Sequence, residues 1–157
     1  MSYQNGLTPY NLPFAEACGS ILTNYCWEES QAKDSKTFAL RSGFKPEKVY
    51  FGIDVFAQGG GRTTYPKERG GGTNTGVAVA KLAELEMSAC LFAPAWSFEH
   101  FHPHGREIEK VVWEGEALPV GIECPCKDMV KCHQPTVGSS VLEHARTFPA
   151  GSETFCT

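Results

Sequence analysis

The sequence predicts an α/β fold with parallel strands, on three observations. Short apolar runs alternate with longer segments of mixed charge from Ser20 to Glu116. The apolar runs are nearly continuous rather than alternating, which fits strands buried on both faces. The segments between them carry apolar residues at helical spacing. Strand, helix, strand, helix in succession is the pattern of βαβ units, as in an α/β barrel or a doubly wound sheet.

Taken in order, Ser20–Trp27 (SILTNYCW) is short and apolar, follows Gly19, and predicts a strand. Glu29–Ser42 mixes charged and apolar residues at helical spacing, and Gly43 suits the left-handed position just past a helix. Lys48–Phe56 (KVYFGIDVF) is β-branched and aromatic and predicts a second strand. A glycine-rich loop follows. Asn74 or Thr75 can cap a helix over Gly76–Met87, with Ala78, Leu82 and Leu85 on one face. Ala89–Ala93 (ACLFA) predicts a third strand, and Gly105–Glu116 a further helix with Ile108, Val111 and Val112 as its apolar stripe. After Ala117 the pattern stops. Residues 118–157 are rich in Pro, Gly, Ser and Cys without a clear period and read as an irregular linker, against a folded unit over 1–117.

Composition narrows the function. At 157 residues the chain is one domain's worth. Fourteen Lys plus Arg against eighteen Asp plus Glu leaves a net charge of −4, where a nucleic-acid binder would carry a basic excess; no nucleic-acid partner is expected. The longest apolar stretch, Ala89–Trp96, contains a proline and falls well short of the roughly 18 residues that a membrane helix needs, so no membrane partner is expected either. The Met1–Gly6 start has neither a basic n-region nor an apolar h-region, so no signal peptide is expected. Seven cysteines, an odd number without such a signal, suggest reduced thiols and a cytosolic setting.

Each predicted strand ends in a polar or aromatic cluster: Asn24, Tyr25 and Trp27; Asp54 and Phe56; Trp96, Phe98 and Glu99. In parallel α/β folds the C-terminal strand ends build the active site. Rings stack on the C–H faces of sugars while amides and carboxylates take the hydroxyls, so this mixture suits a sugar; the other reading is ordinary packing. Gly59–Gly61 and Gly70–Gly72 flank a loop that runs into a helix start, where an anion could sit. The spacing matches neither a Walker loop nor GxGxxG, which favours a plain βα loop. His100, His102 and His104 would share one face of an extended segment, but Pro103 and Gly105 break it. Cys124, Cys126, Cys132 and His133 form a Cys₃His set whose first gap is tighter than the usual CxxC. Neither set is expected to hold a metal. Glu28–Glu29 lies at a helix N-terminus, where negative charge is favoured without a catalytic role.

Four segments occur together: Tyr3-Gln4-Asn5 with Leu7; Ile21 to Trp27 (ILTNYCW); Val49 to Phe56 (VYFGIDVF); and, after the glycine-rich loop, Leu91 to Glu99 (LFAPAWSFE). In order and content they resemble glycoside hydrolase family 85, the cytosolic endo-β-N-acetylglucosaminidases. The resemblance implies cleavage within the N,N′-diacetylchitobiose core of N-glycans on glycoproteins or free oligosaccharides, by substrate-assisted catalysis and without a cofactor. It implies a (β/α)₈ barrel, of which this chain matches the last three or so strands, followed by a linker toward a β-rich domain. The family's catalytic Asn-x-Glu pair does not occur in the chain and would precede Met1, so no catalytic residue is assigned and the chain is expected to be a fragment, inactive alone. Carried over by motif, Tyr3 matches an aromatic on the acceptor side of the cleft, and Asn24, Tyr25, Trp27, Asp54, Phe56, Trp96, Phe98 and Glu99 match strand ends that face the sugar. Cys26 stands where the family often has an aromatic. A glycan-binding remnant without activity, or a small metal-binding protein built on the cysteine-rich tail, are the alternatives. A partial barrel should also leave the strand residues Val49, Phe51, Ile53, Leu91 and Phe92 bare where further strands would meet them.

Overall fold

A computed structural model of the protein describes residues 4–57, 64–67, 70–122 and 140–145. The elements are α1 (Leu12–Cys18), β1 (Ile21–Leu22), α2 (Glu29–Ser42), β2 (Val49–Asp54), α3 (Thr75–Glu84), β3 (Ser88–Phe92), α4 (Trp96–His100), α5 (Gly105–Glu114) and α6 (Val141–Ala145). The strands form one parallel sheet in the order β1-β2-β3, as the βαβ alternation predicts. Ile21 pairs with Val49, and the β2–β3 register runs from Tyr50↔Ser88 to Asp54↔Phe92.

β2 is central and apolar because it meets protein on both edges and on both faces: helices cover one, and the segment after β1 covers Gly52 on the other. Val49, Phe51 and Ile53 are fully buried under the helices, in one core with Ala78, Val79 and Leu82 of α3, Ile108 and Val112 of α5, and Val141 of α6. The expectation that Val49, Phe51 and Ile53 would be bare is therefore corrected: they point to the side that the chain's own helices cover. Leu91 is partly buried on the same side, and only Phe92 of that set is largely exposed.

The helix ends follow from local chemistry. Glu28 and Gln31 form a reciprocal capping box at the start of α2, with the Glu28 N–H donating to Gln31 Oε1 at 2.8 Å. Gly43 ends α2 at φ 73°. The buried face of α2 is small (Ala32, Ser35, Ala39), and Leu7 N–H donates to Ser35 Oγ at 2.9 Å. α3 stops earlier than its apolar stripe suggests. Glu86 takes the left-handed conformation at φ 56°, its N–H bonding Ala83 O and the Met87 N–H bonding Leu82 O. That is a Schellman turn built on glutamate instead of glycine.

Three features depart from the expected elements. β1 is two residues long instead of spanning Ser20–Trp27, because the chain leaves the sheet after Thr23 and crosses over β2. A Cβ at Gly52 would lie 3.0 Å from Thr23 O and 3.3 Å from Tyr25 N, so any side chain there would push on the crossing backbone. α1 and α4 were not foreseen. Within the stretch read as linker, α6 brings Val141 into the core, and Ser140 Oγ donates to Trp113 O at 2.9 Å. No described helix is long and apolar enough to cross a membrane.

Candidate functional site

The C-terminal ends of all three strands lie at one edge of the sheet. Asp54 closes β2, and its register partner Phe92 closes β3, so both project to the face opposite Phe51 and Ile53. Asp54 is buried, and its Oδ1 accepts the Phe56 N–H at 3.1 Å, which fixes the turn beyond the strand. Tyr25, following β1, stacks on Phe92 with ring centroids 6.0 Å apart and planes within 16°. Asn24 Oδ1 accepts the Tyr25 N–H at 2.9 Å, setting the backbone that carries the ring. Asn24, Tyr25, Asp54 and Phe92 therefore form a mixed amide, carboxylate and aromatic group at the strand ends. Phe92, 59% exposed, is a member that strand-end inspection overlooked. Counting alternate positions back from Asp54 through the parallel register would have found it.

The backbone at this edge is strained. Ala57 and Ala93, just beyond β2 and β3, have φ of 49° and 56°. An L-residue there costs of order 1–2 kcal/mol, and such outliers cluster at functional sites. The second glycine cluster packs tightly against the same edge. Gly71 has φ 75°, a Cβ there would meet Asp54 O at 2.8 Å, and Gly72 N–H donates to Val55 O at 2.7 Å. Close approach to β2 accounts for these glycines without an anion.

The two tryptophans matched to the sugar-facing ends are core residues here. Trp27 is 3% exposed; its Nε1–H donates to Gly52 O at 2.9 Å, and its ring lies edge-on to Phe51 and flat on Tyr65, 4.9 Å away. Trp96 is 1% exposed, stacked on His100 and edge-on to Phe101. Phe56 is partly buried against the core. Phe98 and Glu99 lie on α4, exposed, with Phe98 over the backbone at Gly105. Tyr3 lies outside the described residues, as do Cys124, Cys126, Cys132 and His133.

A second polar cluster joins α2, α3 and Tyr65. Tyr65 Oη lies 3.4 Å from Glu29 Oε2, which also receives Lys33 (2.6 Å) and Lys81 (3.6 Å) on its other oxygen. The Lys33 hydrogen bond holds the Glu29 carboxyl below its usual range. Burial, then the Glu29 charge, pushes the Tyr65 hydroxyl up. Together they fasten Tyr65 to α2, and α2 to α3. Burial also holds the His100 imidazole low, while His102 and His104 are exposed. Among the described residues no group of three metal-ligating side chains converges.

Comparison with known proteins follows this geometry. The family model described as Glycosyl hydrolase family 85 matches residues 1–157. Cytosolic endo-β-N-acetylglucosaminidase 1 of Arabidopsis thaliana is 39% identical over 66% of this chain and 14% of its own length. The cytosolic endo-β-N-acetylglucosaminidase of Danio rerio is 34% identical over 71% of this chain and 15% of its own length, and that of Homo sapiens 29% identical over 63% and 12%. The chain thus spans about a seventh of the curated relatives it matches. No solved structure matches it.

Proposed function

The chain belongs to glycosyl hydrolase family 85, and we propose on that premise that it supplies part of the sugar-binding cleft of a cytosolic endo-β-N-acetylglucosaminidase acting on N-glycans. Its three parallel strands are a segment of a (β/α)₈ barrel carried by residues 1–117, onto whose core Val141 of the following stretch packs back. The reaction is cleavage of the N,N′-diacetylchitobiose core, in which the substrate's own acetamido oxygen attacks the anomeric carbon.

One observation carries the reading: polar and aromatic groups follow all three parallel strands at the same end of the sheet, with Tyr25 stacked on the exposed Phe92. Tyr25 and Phe92 offer stacking surface. Asn24 and Asp54 offer an amide and a carboxylate for sugar hydroxyls. Phe56, Phe98 and Glu99 border the cleft, and Tyr3 lines its acceptor side by family resemblance. Trp27 and Trp96 hold the loops that carry these groups. The sequence holds no Asn-x-Glu pair, so this chain by itself binds glycan and does not cleave it.

The test uses the purified chain with a free high-mannose oligosaccharide ending in N,N′-diacetylchitobiose, and with a high-mannose glycopeptide. Saturable binding of the first and no glycan release from the second are expected. Removing one stacking ring, Tyr25→Ala, should cost about 0.5–1.5 kcal/mol, up to roughly tenfold in affinity. Absence of any binding, or turnover by the chain alone, refutes the assignment.

A further inference from the structure

Three contacts hold the Trp27 indole: its Nε1–H donates to Gly52 O at 2.9 Å, the Phe51 ring meets it edge-on at 5.3 Å, and the Tyr65 ring lies flat on it at 4.9 Å with planes within 6°. Just before Trp27, the same segment crosses Gly52, where a Cβ would come within 3.3 Å of both Asn24 C and Tyr25 N. The crossing therefore bears on Gly52 twice, through the backbone at Asn24 and Tyr25 and through the indole of Trp27. The Tyr25 side chain, whose ring stacks on Phe92, is carried between these two contacts. Gly52 and Phe51 belong to β2, whereas Tyr65 presses on the indole from another part of the chain.

Tyr65 is itself placed by its surroundings. Its hydroxyl lies 3.4 Å from Glu29 Oε2, and Glu29 is paired in turn with Lys33 and Lys81. The residues on either side of it press on Gly70, where a Cβ would run into Thr64 O and Pro66 O. A Cβ at the next residue, Gly71, would meet Asp54 O at 2.8 Å, so these two glycines let the Tyr65 backbone sit close to the end of β2. Tyr65 is only partly buried and its hydroxyl contact with Glu29 is long, so the flat face of the ring is its firm contact.

We propose that Tyr65 is a positioning residue of the glycan site: by clamping the Trp27 indole against Gly52 O it fixes the crossing segment, and so sets the Tyr25 ring over Phe92 before the sugar arrives. It acts through Tyr25 and contacts no sugar itself. A stacking ring fixed in advance is not ordered at the expense of binding. This rests on the cleft reading above.

Affinity for the free high-mannose oligosaccharide, measured by NMR titration of the chain, tests it in a double-mutant cycle with Tyr25→Ala. Tyr65→Ala should bind about three- to fivefold more weakly than the parent. Tyr65→Phe, which keeps the flat ring and gives up the hydroxyl, should stay within about twofold. In the Tyr25→Ala background, Tyr65→Ala should cost less than about 1.5-fold, because the ring it positions is gone. A merely structural role would cost the same in both backgrounds, and that result overturns the proposal. A loss by Tyr65→Phe as large as that of Tyr65→Ala overturns it too. If Tyr65→Ala does not fold, Tyr65→Leu, which fills the space without a flat ring, takes its place in the cycle. If the parent chain binds no glycan, the cleft reading itself fails and takes this inference with it; if it binds and Tyr65→Ala binds equally, only the inference fails.

Discussion

The two faces of the three-stranded sheet are built from the same strands and treated in opposite ways. Odd-numbered positions (Ile21, Val49, Phe51, Ile53, Ala89, Leu91) turn to the helices, and Val49, Phe51 and Ile53 reach 0% exposure. Even-numbered positions (Leu22, Tyr50, Gly52, Asp54, Ser88, Cys90, Phe92) turn away; Gly52, Asp54 and Ser88 are still buried, while Leu22 and Phe92 are 61% and 59% exposed. The two-residue period of a strand thus lets one run of sequence carry stability on alternate residues and presentation on those between. Near-continuous apolarity, read as burial on both faces, holds for β2 and misses the open positions Leu22 and Phe92 on its neighbours.

The largest test of this contrast is Phe51→Ala, which should destabilise by about 3–5 kcal/mol in chemical denaturation. Phe92→Ala should cost about 1 kcal/mol or less, as its ring is mostly exposed, yet should weaken glycan binding. Equal losses of stability would erase the distinction between the faces. Next in size is Gly52→Ala, the position where the two faces meet. Its new methyl would press on Thr23 and Tyr25, costing about 1–3 kcal/mol, and should reduce glycan binding by shifting Asn24 and Tyr25. Wild-type affinity in that variant would show that the crossing segment does not set the site.

Far from the open face, Glu86→Gly relieves a left-handed φ and gives up an exposed ion pair with Lys36, worth little. A rise of about 2–4 °C in the melting midpoint is expected, with glycan binding unchanged; a fall would mean that the pair outweighs the backbone. His100 is read through its pH dependence. Burial lowers its folded pKa, so the unfolded chain takes up the proton first. The stability that neutral His100 contributes is complete above the ordinary value of 6.5 and is lost as the pH falls through that value and the depressed folded one. Melting curves of the parent should therefore fall relative to His100→Phe between about pH 7.5 and 5.5; parallel curves would contradict this.

Much of the scaffold was legible because its signals are local. Both bounds of α2 follow from Glu28, Gln31 and Gly43, and the apolar stripe of α5 from Ile108, Val111 and Val112. What escaped was set at a distance. β1 is cut short by a crossing that depends on Gly52, nearly thirty residues further along. α3 ends on Glu86, a residue that does not advertise a left-handed turn. α1 and α4 span only about one or two turns, too short for periodicity to show, and α6 is held by Val141 and Ser140 against α3 and α5. Within the candidate site, Asn24, Tyr25 and Asp54 were found from their place after strands. The directions of Trp27 and Trp96 were not, because an aromatic at a strand end can face a ligand or the core, and only the packing partners decide.

Trp27 lies between β2 and Tyr65, with Gly52 O on its nitrogen and Tyr65 flat against its ring. An indole enclosed in this way emits at short wavelength, and its quantum yield responds to the phenol beside it. Light from Trp27, isolated by replacing Trp96 and Trp113 with phenylalanine, therefore becomes a built-in optical gauge of its contact with Tyr65. Lengthening of the emission on Tyr65→Ala would report the uncovering of the indole, without any label attached to the site.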